Sequence, residues 1–146
     1  MYTNTTAGDN VAVGRESLYK STTGDGNVAV GHDAGYCNTT GSCNVNIGME
    51  AGHNVTTADG NTFVGRTAGC NAVSGNNNTA IGQSAGIDQV KNITGSETHQ
   101  LVLGNNSLAN AFMKVSFTVT SDLRDKTEIE SVPHGLDFVN QLNPIK

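Results

Sequence analysis

Short apolar triplets separated by polar, glycine-punctuated intervals set the pattern of this chain, and they return at a fixed step of 17 residues. The unit opens on Asn10, Asn27, Asn44, Asn61 and Asn78, reading NVAVG, NVAVG, NVNIG, NTFVG and NTAIG. A degenerate sixth copy, QLVLG from Gln100 to Gly104, follows an insertion of five residues. In an extended segment residues two apart face the same way, so Val28 and Val30 share one face of their strand and Ala29 takes the other. Each unit is expected to carry this short strand, a Gly turn, a small-residue turn and a second short strand on the Thr pairs Thr22-Thr23, Thr39-Thr40 and Thr56-Thr57. Units this short cannot close a core alone, and stacking buries what each leaves open. The predicted fold is all-β, a parallel β-roll or β-solenoid of 17-residue repeats.

Stacking places Val13, Val30, Ile47, Val64 and Ile81 in one column, with Leu103 as its sixth member, and no other aliphatic column is unbroken. Composition then bears on how that column is used. With 18 Gly, no Trp, 5% aromatic and 14% charged residues, little is available to fill a thick core. A coil brings one reliable Val or Ile, one Val or Thr two positions earlier and one Ala. That is too little buried carbon to offset ordering a coil at about 1–2 kcal/mol per residue. Homotrimerisation follows as the expectation, the ladder of each chain meeting those of two parallel copies.

The formal charge of −5 supplies no basic footprint, which excludes nucleic acid and anionic lipid as main partners. No apolar run approaches the ~18 residues needed to span a bilayer, so no membrane insertion is expected, and MYTNTTAGDN lacks the regions of a signal peptide. Cys37, Cys43 and Cys70 fall at three different phases of the repeat and match no zinc spacing, so free thiols are expected, with no metal and no cofactor. His32 shares its column with Arg15, Met49, Arg66 and Gln83, and His32 and Asp33 are read as a solvated edge rather than a metal-ligand pair. Tyr19, Tyr36, His53, Cys70 and Ile87 occupy one phase. They are read as a rim packing on a neighbouring chain, with a receptor-contacting strip as the alternative.

The repeat pattern resembles that of trimeric autotransporter adhesin heads and of shafts in phage and viral tail fibres, over about residues 10–108. Residues 1–9 form a lead-in or the tail of an earlier coil, residues 10–109 the shaft, and residues 110–120 a connecting strand in which Val115, Phe117 and Val119 alternate with Ser116, Thr118 and Thr120. Residues 121–146 then hold eight of the 21 charged residues, and Leu136, Val139 and Leu142 stand at helical spacing between Pro133 and Pro144, which predicts a short C-terminal helix.

The string Ser121-Asp122-Leu123-Arg124-Asp125-Lys126, with Leu136, Asp137, Leu142 and Pro144 downstream, resembles the start of the endosialidase-type intramolecular chaperone, a self-cleaving module of tail spikes and fibres. The resemblance implies cleavage between Thr120 and Ser121, with Ser121 as nucleophile and Lys126 as general base, and Asp122, Arg124, Leu136 and Asp137 as motif positions. A Lys near its ordinary pKa of about 10.4 is protonated at neutral pH, so Lys126 must be desolvated or set beside a cation such as Arg124 before it accepts a proton. The competing reading is that Ser121 and Asp122 cap a short helix. Because that family continues well beyond the length present here, this chain is expected not to cut itself. The sequence thus reads as a homotrimeric virion tail fibre or spike that attaches to a host cell-surface receptor. A bacterial adhesin head without protease activity is the alternative, and cell surface the alternative location.

Overall fold

The computed structural model describes residues 3–87, 93 and 95–110, all within one compact unit spanning residues 1–111. Six three-residue strands make up its regular structure: β1 (Val11–Val13), β2 (Val28–Val30), β3 (Val45–Ile47), β4 (Thr62–Val64), β5 (Thr79–Ile81) and β6 (Leu101–Leu103). They form one parallel sheet in sequence order, and the pairing Val11↔Val28, Val28↔Val45, Val45↔Thr62, Thr62↔Thr79 follows the repeat step. The described residues form an all-β solenoid. The five-residue insertion is absorbed between β5 and β6, where Thr79 pairs with Leu101 and register is kept. Register returns before Gln100, because the His99 N–H already donates to the Asn76 carbonyl (3.1 Å).

The second strand expected on the Thr pairs is not formed. Thr22 and Thr23 both send their N–H to the Thr39 carbonyl (2.9 and 3.2 Å), and Thr39 and Thr40 do the same to Thr56 (2.9 and 3.3 Å). In a ladder consecutive amides point to opposite sides; two converging on one oxygen make a bend. The hydroxyls of Thr22 and Thr39 add a further bond to those carbonyls (2.9 and 3.0 Å), which a side chain competing with a regular ladder can do. Residues 3–9 resolve as the tail of a coil. Thr5 and Thr6 donate to the Thr22 carbonyl (3.1 and 3.3 Å), and Asn4 accepts from the Ala7 N–H (2.9 Å) as Asn38 accepts from Gly41 (2.9 Å).

The coil's interior takes the middle residue of each strand, including Ala29, Asn46, Phe63, Ala80 and Val102, together with Ala34, Ala51, Ala68 and Ala85 beyond the turn. Opposite walls lie so close that most positions admit only Ala or Gly, and a large side chain enters only where a neighbour gives up its Cβ. Phe63 is an instance: a Cβ on Gly69 would collide with its ring. The turn after each strand has the same requirement toward the next coil. Gly31 has φ 138°, and a Cβ there would lie 2.5 Å from the Gly48 carbonyl oxygen. Two residues later the backbone is left-handed again, at Glu16, Asp33, Glu50, Thr67 and Ser84 (φ 57–58°), none of them Gly.

Candidate interaction faces

The Asn that opens each unit builds a spine through the solenoid. The N–H of Asn27 donates to Oδ1 of Asn10 (2.7 Å), Asn44 to Asn27 (2.9 Å), Asn61 to Asn44 (3.0 Å), Asn78 to Asn61 (2.9 Å) and Gln100 to Asn78 (3.0 Å). The amides of Asn27 and Asn44 in turn donate to the Gly41 and Ala58 carbonyls (2.8 and 2.7 Å). Asn27, Asn44, Asn61 and Asn78 are fully buried, and these bonds are what such burial requires. Sequence reasoning assigned these residues no role, although the signal was plain: an Asn before each of the first five strands, where a short side chain with both donor and acceptor repeats the bond. A second polar column does similar service at the surface, with Asp25 accepting from the Gly8 N–H and Asp59 from the Ser42 N–H (both 2.7 Å).

With the middle residues turned in, the flanking residues face out. Val13 is 56% exposed, Ile47 39%, Ile81 44% and Leu103 52%, while Val30 and Val64 are half-buried. Beside this ladder runs a second column, Val11, Val28, Val45, Thr62, Thr79 and Leu101, with Val11 and Leu101 exposed. Six strands at about 4.8 Å and columns about 7 Å apart make an apolar strip some 25 Å long. Nothing within the described residues covers it. Contiguous apolar surface of this kind marks interaction sites.

Around the corner, Tyr19, Tyr36 and His53 stack with ring centroids 5.3 and 5.2 Å apart and planes within 3° of parallel. The Lys20 ammonium lies 5.1 Å from the Tyr36 centroid and 3.8 Å from Cys37 Sγ. Tyr36 has a ring on either side, so it offers no open face to a stacking ligand such as a sugar. Cys70 continues this column; burial foremost, and then the Glu50 carboxylate, push its thiol above the ordinary range. His32 Nδ1 is 3.5 Å from Asp33 Oδ2, and no group of three or more His, Cys, Asp or Glu side chains converges among the described residues. Cys37, Cys43 and Cys70 are unpaired thiols. No helix among the described residues is long and apolar enough to cross a membrane.

Thr120, Ser121, Asp122, Arg124, Lys126, Leu136 and Asp137, with the connecting strand and the C-terminal helix, lie outside the described residues. Comparison of the chain with protein-family models, curated proteins and solved structures finds no match.

Proposed function

We propose that this chain is a segment of a fibre shaft, in which the outer faces of the parallel sheets of three identical chains pack about a common axis. The observation that carries the reading is the outward-facing aliphatic ladder, exposed at Val13, Ile47, Ile81 and Leu103 and half-buried at Val30 and Val64, with the mixed Val, Thr and Leu column beside it, on a coil whose own interior is filled from other positions. A parallel sheet normally has both faces covered. Full burial of a Val, Ile or Leu side chain contributes about 1.5–3 kcal/mol, so a strip of this length is a substantial driving force for association. A copy of the same strip is self-complementary in register because every coil repeats it. The biological work of such a shaft is extension and attachment of a virion tail fibre or spike to a host cell. On sequence alone, the segment from Ser121 is the beginning of a chaperone released by Ser121 and Lys126 after assembly.

Sedimentation of the chain and of its Ile47→Lys, Val64→Lys double variant tests the shaft. The parent is expected to sediment as three chains and the variant as one. A parent that is a single, heat-resistant molecule at micromolar concentration would overturn the reading.

A further inference from the structure

Along the axis the interior is interrupted. Leu18, Ala29 and Ala34, with Ala12 packed against them, form one apolar cluster. A second begins at Ala51 and Val55, contains Phe63 and runs to Val102. Ala34 and Ala51 hold the same position in neighbouring coils, yet they belong to different clusters.

Asn46 stands at the division. It is fully buried, and neither its Oδ1 nor its Nδ2 has a hydrogen-bond partner. Its amide occupies the space freed by two glycines: a Cβ on Gly35 would lie 3.1 Å from Nδ2, and one on Gly52 would collide with Oδ1. The N–H groups of those glycines are already committed to the Ala51 and Ala68 carbonyls (both 2.9 Å). Asn38, the buried polar residue on the other side, is closed on its own turn through Gly41 (2.9 Å both ways). Backbone bonds run past the break as they do between other coils, among them Val28 N–H to the Asn44 carbonyl (2.8 Å), Gly48 N–H to the Val30 carbonyl (2.8 Å) and Cys37 N–H to the His53 carbonyl (2.9 Å), so what the division lacks is apolar side-chain contact and a partner for the Asn46 amide.

In a stacked array stability is close to a sum of unit terms and nearest-neighbour interfaces, so the weakest interface decides where the array divides. An interface that lacks continuous apolar contact and buries an unpartnered amide is such a place. We infer that the solenoid consists of two cooperative units joined at the Asn46 layer, and that the coils before it open while those after it stay closed. The device is a built-in joint, and it holds whatever the oligomeric state.

Hydrogen exchange on the whole chain tests it at matched amides. Leu18 and Gly31, bonded to Ala34 and Val13 (3.0 and 2.8 Å), are compared with Gly69 and Gly82, bonded to Ala85 and Val64 (2.9 and 2.8 Å). The first pair is expected to be at least about tenfold less protected, with a step at Asn46. In Asn46→Val, the residue used at the equivalent place in β6 (Val102), the gap should close to within about threefold. Should the Val variant not fold, Asn46→Ala, which only deletes atoms, should still raise protection at Leu18 and Gly31 by about threefold or more. Equal protection on both sides in the parent, a smooth decline toward the N-terminus, or a gap that neither substitution narrows would overturn the proposal.

Discussion

At the scale of the residue, asparagine has two opposite roles here, decided by whether its amide meets a partner. Asn44 accepts from the Asn61 N–H (3.0 Å) and donates to the Ala58 carbonyl (2.7 Å), whereas Asn46, two positions on, has neither. Asn44→Ala should destabilise the chain by about 1–3 kcal/mol for each buried group left unpartnered, read as a lowered midpoint in chemical denaturation. Asn10→Ala should cost less, because Asn10 is only half-buried. Cys70 supplies a pH-dependent effect. Burial and Glu50 hold its thiol protonated to higher pH than a free thiol, so below the ordinary thiol range the proton is bound in both folded and unfolded states. As pH climbs through that range the unfolded chain releases it first, and stability falls. Alkylation of Cys70 should accordingly begin at higher pH in the folded chain than in the chain unfolded by denaturant, as followed by mass spectrometry of the labelled peptide.

Single strands here are only three residues long, too short to stand alone, and what holds each is the coil on either side. The turn glycines make that stacking possible. Gly48→Ala would put a Cβ 2.6 Å from the Gly65 carbonyl at φ 128°, so two coils would be pushed apart for one methyl group. A loss of more than about 2 kcal/mol is expected, combining left-handed strain with a backbone clash, measurable as a drop in thermal midpoint. The Thr pairs show why elements are harder to read than columns. Thr suits a strand, but its hydroxyl also suits a bend, and the convergence of Thr22 and Thr23 on one carbonyl depends on a neighbouring coil that local propensity does not include.

For the molecule as a whole, the interior and the outer strip answer to different measurements. Phe63 is the largest fully buried side chain among the described residues, and Phe63→Ala should cost about 3–5 kcal/mol in unfolding free energy, whether the chain is alone or assembled. Lysine on the outer ladder, by contrast, should change mass in solution while leaving the β-rich circular dichroism spectrum of the coil. Finding the reverse pattern would mean that the ladder, not Phe63, is the chain's own core.

The sequence by itself determined the step, the parallel register and the β-solenoid, because a period held over five copies admits one stacking and strand alternation assigns Val28 and Val30 to a common face. It also located the unbroken aliphatic column. What only the tertiary structure decided is which side of the strand is inside. Ala29 and Phe63 go in and Val30 and Val64 go out because a coil of this circumference brings its walls together, and that closeness is a property of the closed ring rather than of any triplet. The same closeness made the opening Asn a buried spine and left Asn46 without a partner, two outcomes that identical side chains could not have foretold.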